Sequence, residues 1–315
     1  MKISIQSSWT TTQLGIEKAY ALFHKIGFEA IDWNIDIALL DDVIKRGEYR
    51  EKSVFAKGME EIRAYFAEEL AVIRKYGLTI TQAHAPFPPY LQEDPELLDF
   101  MIEVYKKCIL FCHEVGCKNL IIHGICYAKS DRVHTPQEID DLNRYMYSSL
   151  IPVLKETDVV VCMENLFTFH ENLRGKNVYA GHCANPYEAV AWIDEMNHLA
   201  GKECFGLCLD TGHLHLVKQD ERVYIPIVGN RLKALHIHDN DGVGDRHIGP
   251  YNGSIVWRDF YESLAKIGYQ GDLNFETLHQ TNFNCIPEEL LEVELRTIYQ
   301  TGVMFREKIQ ELQNK

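Results

Sequence analysis

Six apolar runs in this chain end in a side chain that can bind a metal ion or move a proton. Gln82-Ala83 leads to His84, Ile121-Ile122 to His123, Cys162-Met163 to Glu164, Cys208-Leu209 to Asp210, Ala234-Leu235 to His236, and Asn274-Phe275 to Glu276. Carboxylates and imidazoles crowded into one low-dielectric pocket repel or desolvate one another unless a cation joins them. Oxygen and imidazole ligands suit Mn²⁺, Co²⁺, Mg²⁺ or Zn²⁺, and no thiolate selects a softer metal. Singly, each residue is an ordinary polar position, and Asp210-Thr211-Gly212 alone is an ordinary turn. The signal is that six successive runs end this way.

Something must bring these ends together. The pattern predicts eight strands, at Lys2–Gln6, Ala30–Ile35, Thr79–His84, Asn119–His123, Val159–Glu164, Gly206–Asp210, Lys233–His238 and Leu273–Glu276. Helical periodicity fills the gaps at Gly15–Ile26, Met59–Tyr76, Pro95–Val115, Pro136–Glu156, Pro186–His198, Tyr224–Asn230, Trp257–Ile267 and Glu288–Gln313. Thr135-Pro136 and Asn185-Pro186 place a capping side chain before a proline at the first helical position. Gly27, Gly77, Gly116 and Gly268 stand where helices should stop. Strands alternating with helices imply parallel pairing through right-handed crossovers. Eight such units imply one closed (β/α)8 TIM barrel over residues 1–315, with its site at the strand C-terminal ends. The rival is an open doubly wound sheet, but Gly-x-Gly-x-x-Gly is absent after the first strand.

The chain has 315 residues, 32 Lys and Arg against 46 Asp and Glu, and a net charge of −14. That field disfavours gripping a nucleic acid backbone or an anionic membrane. The nearest basic stretch, Arg46, Arg50 and Lys52, is interleaved with Asp41, Asp42, Glu48 and Glu51. Nine cysteines form no Cys-x-x-Cys pair and mostly lie in apolar runs, as reduced cytoplasmic thiols do. No run is long enough for a membrane span and the N-terminus has no signal-peptide core, so a cytoplasmic protein is expected.

At Met163-Glu164-Asn165, Leu209-Asp210-Thr211-Gly212-His213, His236-Ile237-His238-Asp239 and Phe275-Glu276-Thr277 the sequence resembles the xylose isomerase-like barrel superfamily. The resemblance covers nearly the whole chain. That superfamily includes ketose epimerases, sugar phosphate epimerases, inosose dehydratases and isomerases, and the endonuclease IV repair enzymes. It implies a single divalent metal held by Glu164, Asp210, His236 and Glu276. His236 is preferred to His238 because it fits His-x-x-Asp, although the two point to the same face. His238 and Asp239 then become supporting or substrate-contact residues. Endonuclease IV members bind three zinc ions. His84, His123, His213, Asp245 and His247 could complete such a set, or with Arg246 could bind substrate instead. The loop Gly249–Gly253 departs from the family pattern.

The expected activity is therefore sugar or sugar phosphate isomerisation or epimerisation, by proton transfer through a metal-stabilised enediolate. Glu164 and Glu276 act as both ligands and proton carriers. Trp9 and Phe87 would pack on the sugar. Arg246, Lys129 and Arg132 are the candidates for a substrate phosphate. The alternatives are an endonuclease IV-like phosphodiesterase, an inosose dehydratase, and a sugar-binding protein without turnover. A small-molecule sugar is the expected partner, and homo-oligomerisation stays open.

Overall fold

The computed structural model describes residues 1–127, 133–172, 175–277 and 286–315. Lys129, Arg132 and Cys285 lie outside them. All eight expected strands form, at Ile3–Gln6, Ala30–Asn34, Thr79–His84, Asn119–Ile122, Val160–Glu164, Phe205–Asp210, Leu232–His236 and Leu273–Phe275. They make one parallel sheet in which the eighth strand pairs with the first and the rest follow in chain order to the seventh. A bridge between Ile237 and Phe275 joins the seventh strand to the eighth, with Ile237 N donating to Asn274 O at 2.8 Å and Glu276 N to Ile237 O at 3.1 Å. The sheet is thus a closed barrel.

Each strand is followed by its expected helix: Ile16–Ile26, Met59–Lys75, Leu97–Val115, Pro136–Lys155, Pro186–Ala200, Glu221–Val228, Trp257–Lys266 and Glu288–Gln313. The predicted caps hold. Thr135 Oγ1 accepts from Glu138 N while the Glu138 carboxylate accepts from Thr135 N, a reciprocal capping box. Gly116 closes its helix at φ +80°, a conformation that a side chain disfavours.

Side-chain alternation along a strand decides what fills the barrel. Two residues below Glu164, Asp210 and His236 on the same faces lie Cys162, Cys208 and Ala234, which pack with Ile121 in a small buried cluster. These cysteines act as compact hydrophobes beneath the polar rim. Outside the barrel, Trp33 packs edge-on against Phe66 at 4.9 Å and fixes the second strand to its helix. No helix is long and apolar enough to cross a membrane among the described residues.

Two of the departures from the sequence reading bear on the pocket wall. That reading has no strand between Glu164 and Pro186, where the structure holds an antiparallel hairpin of Phe167–Asn172 and Gly175–Ala180. A short helix, Ser8–Leu14, also follows the first strand directly. Both lie on the side of the strand C-terminal ends, where loop variation shapes the pocket.

Candidate active site and metal centre

The strand ends meet as the cadence predicts. His236 is fully buried, and its Nδ1 lies 3.4 Å from Glu164 Oε1 and 3.3 Å from Glu276 Oε2 with no hydrogen-bond partner. Its other nitrogen, Nε2, contacts Asp32 Oδ2 at 3.1 Å. Asp32 also accepts from Gln82 Nε2 at 2.9 Å and from Asn274 Nδ2 at 3.0 Å, so the carboxylate is anchored to three strands. A carboxylate on one ring nitrogen fixes the tautomer and leaves the other nitrogen's lone pair free. Asp32 is not among the residues expected at the site. The signal for it is a carboxylate in the middle of the buried run Ala30-Ile31-Asp32-Trp33.

Asp210 is held from two sides. Asn165 Oδ1 accepts from Asp210 N at 2.7 Å and Asn165 Nδ2 donates to Asp210 O at 2.9 Å, pinning the fifth strand end to the sixth. The Asp210 carboxylate caps helix Thr211–Leu216 by accepting from His213 N at 2.6 Å. His238 Nε2 sits 2.9 Å from both of its oxygens. Gly212 makes this approach feasible, because a Cβ there would lie 1.9 Å from His238 Cε1. His238 is thus engaged by Asp210, whereas His236 presents an unpaired nitrogen. Asp210, His238 and Glu276 still converge closely enough to share an ion.

Two further groups flank this centre. His84 Nε2 and Glu164 Oε2 each lie 3.0 Å from His123 Nε2. On the other side, His247 Nε2 is 2.9 Å and His213 Nε2 is 3.6 Å from Asp245 Oδ2, and His247 stacks on His238 at 3.9 Å. Arg246 does not join them. It is exposed and pairs with Asp241 at 3.2 Å, away from the cavity wall. Asp239 is wholly buried and works on its own loop, accepting from Asn240 N, Tyr251 N, Ile255 N and Trp257 Nε1. It holds the Gly249–Gly253 segment and has no exposure to a substrate.

Charge follows from this crowding. Burial pushes the Glu276 carboxyl up to about 7, against the pull of His236 and His247. Burial also pushes Glu164 up, but His236 and His123 outweigh it and hold that carboxyl well below the usual range. Burial, helped by His123, lowers His84 to about 3. For His247 burial opposes the cation, yet Glu276 and Asp245 prevail and raise it to about 9. In spite of burial, His213 is likewise raised by Asp210, Asp245 and Glu164, and His236 by Cys208, Glu276 and Glu164. Protons on these rings offset carboxylate charge, which is the service a divalent cation performs. The unpaired His236 Nδ1 between two carboxylates fits such a cation.

A pH signature follows. His247, raised from 6.5 to about 9, contributes stability to metal-stripped protein that is complete below pH 6.5 and lost as pH rises through 9. His213 and His236 act in the same direction. Chelator-treated protein should therefore lose several degrees of Tm from about pH 7 to above pH 9, and the metal-loaded form less. A chelated protein whose Tm rises over that window contradicts the arrangement.

The cavity above the centre has a volume of about 1030 Å³ and is walled in part by Trp9, Phe87 and Phe167. Phe167, from the unforeseen hairpin, meets the His213 ring at 4.8 Å.

The family model described as xylose isomerase-like TIM barrel matches residues 21–301. Protein y4fM of Sinorhizobium fredii is 23% identical over 286 residues, covering 84% of this chain and 81% of its own. A probable endonuclease 4 of Mycoplasma pneumoniae is 25% identical, covering 62% of this chain and 65% of its own, so the match falls just short of two thirds of that relative. Among solved structures, a D-tagatose 3-epimerase-like protein superposes with a TM-score of 0.68 at 18% identity, over 99% of both chains. The IolI protein with a bound zinc atom superposes with a TM-score of 0.63 at 15% identity, again over 99% of both. At these identities the structural likeness establishes the fold.

Proposed function

This chain belongs to the xylose isomerase-like TIM barrel family, and from that premise we propose that it is a divalent-metal-dependent sugar isomerase or epimerase. The observation that carries the reading is the unpaired His236 Nδ1 set between Glu164 and Glu276. Glu164, Asp210, His236 and Glu276 would hold the cation, with Asp32 fixing the His236 ring. Bound there, the cation supplies Lewis acidity toward the carbonyl and neighbouring hydroxyl oxygens of the sugar.

The chain's own part is to carry the proton. Glu164 and Glu276 stand at the ends of the fifth and eighth strands, 3.4 Å and 3.3 Å from His236 Nδ1. A substrate carbon held between the two carboxylates would have one on either side. Epimerisation needs one to remove the proton and the other to return it to the opposite face; isomerisation needs one to move it to the adjacent carbon. Burial raises the Glu276 carboxyl to about 7 in the absence of the cation; with the cation bound, one carboxylate must take the proton and later release it. The oxygen not engaged with the cation must do so. His123 and His213 hold hydroxyls, and His84 and His247 orient the far end. Support for a sugar comes from the D-tagatose 3-epimerase-like neighbour, and for a metal from the zinc in IolI. The described cysteines are all unpaired, which supports a reducing, cytoplasmic setting.

The test is hydrogen exchange. Protein loaded with Mn²⁺, Co²⁺, Mg²⁺ or Zn²⁺ and incubated in D₂O with ketoses, their phosphates and an inosose should place deuterium beside the carbonyl, and a chelator should stop it. Product analysis separates epimerase, isomerase and dehydratase. No exchange in any substrate would sink the proposal.

One observation favours a second reading, zinc-dependent phosphodiester cleavage. The His84–His123–Glu164 and His213–His238–Asp245–His247 groups flank the centre as two further ion-sized clusters, and endonuclease 4 proteins are among the relatives. The net charge of −14 opposes it. About three equivalents of zinc with incision of abasic-site duplex would select this reading, and about one equivalent of metal with ketose exchange the first.

A further inference from the structure

The cavity extends beyond the polar centre. The metal-capable residues belong to strands three to eight, while the loops after strands one to three build a different wall from Trp9, Ile37, Leu40, Phe87, Pro88 and Leu91. Trp9 is 38% exposed and Leu40 51% exposed, so this apolar wall is not packed away into the core. At about 1030 Å³ the cavity stands at the top of the range of roughly 300–1,000 Å³ that holds drug-sized ligands. A free sugar at the polar centre would leave the wall facing water. Charge narrows the occupant further. The polar residues on this side include Ser8, Thr12, Asp36, Gln92 and Glu93, and no Lys or Arg lines the cavity among the described residues. Among the described residues, no side chain in that wall carries a positive charge to match a phosphate or a carboxylate.

We propose that the substrate is a sugar bearing an uncharged apolar substituent, which the wall of Trp9, Leu40 and Phe87 takes while the sugar ring sits at the polar centre. This rests on reading the centre as a sugar site. A glycosidic substituent removes the anomeric carbonyl, so the ketone that acidifies the neighbouring C–H would then be a ring carbon. The wall selects the substituent and the centre performs the proton transfer.

The experiment is calorimetric titration of Mn²⁺-loaded protein with 4-nitrophenyl β-D-glucopyranoside and with methyl β-D-glucopyranoside. The readout is the ratio of the two affinities, which isolates the substituent from the sugar ring. The aryl glycoside should bind about tenfold tighter or better. Leu40→Asp should bring the ratio close to one, and Trp9→Ala should lower it. Leu40 is exposed enough for the fold to survive, and the Tm of each variant checks this. A ratio near one in the unaltered protein, no measurable aryl binding, or a ratio unchanged by Leu40→Asp would overturn the proposal. Deuterium exchange into ketoses, measured separately, tells the two readings apart. Exchange without an aryl preference keeps the proton chemistry and removes the substituent. An aryl preference without exchange does the reverse.

Discussion

Glu276→Gln should fold, melt within a few degrees of the unaltered protein, and lose turnover by about 10²–10⁴-fold, the usual worth of a positioned acid or base. The side chain keeps its shape and length. The carbonyl oxygen of residue 276 still faces His247 Nδ1, at 3.1 Å in the structure, and the backbone bond to Ile237 that closes the barrel is untouched. The carboxyl pushed up to about 7 is replaced by an amide that neither takes nor returns a proton near neutral pH. Removing that charge also withdraws the leading support for the His247 cation, whose pKa should fall from about 9 toward its ordinary value. Steady-state kinetics, circular dichroism and histidine NMR titration measure the three effects. A fully active Glu276→Gln protein would remove Glu276 from the chemistry.

The barrel was legible because buried parallel strands read as short apolar runs, and the rim interrupts each run with a polar residue. Asn119-Leu120-Ile121-Ile122 followed by His123 carries both signals in five residues. The convergence of Glu164, Asp210, His236 and Glu276 then followed from closure alone. Three things did not. Asp32 acts through His236, 204 residues away, and only a closed barrel brings the two together. His236 and His238 share a face, so alternation could not say that Asp210 would occupy one and leave Nδ1 of the other unpaired. Arg246 and His247 are adjacent in a loop, where no regular period tells which side chain faces the cavity. His247 turns in at φ +45° and Arg246 turns out to Asp241. The hairpin had its own period-two signal in Phe167-Thr168-Phe169, masked by its place between a strand and a helix that already fitted the cadence.

Asp210→Asn should cost more function than fold, and by a different route from Glu276→Gln. As a helix cap, Asn equals Asp, and its Oδ1 can still accept from His213 N, so helix Thr211–Leu216 and the Asn165 bonds to the backbone should remain. The second oxygen becomes an amide NH₂. It now points a donor at His238 Nε2, which in the structure lies 2.9 Å from both carboxylate oxygens, and the ring must change tautomer or move. One negative charge also leaves a centre whose carboxylates, with no cation bound, help to raise the pKa of His213 and His236. A divalent ion there loses a ligand and part of the charge that offsets its own, and amide oxygen is a poorer donor than carboxylate. Metal content by elemental analysis should fall to a small fraction of one equivalent after dialysis, and deuterium exchange into substrate should vanish with it. Excess metal should restore part of the exchange if coordination is the only defect, because the carboxylates proposed to carry the proton are intact. Stoichiometric metal retained through dialysis would place the ion elsewhere, in the His84–His123–Glu164 group or beside Asp245 and His247.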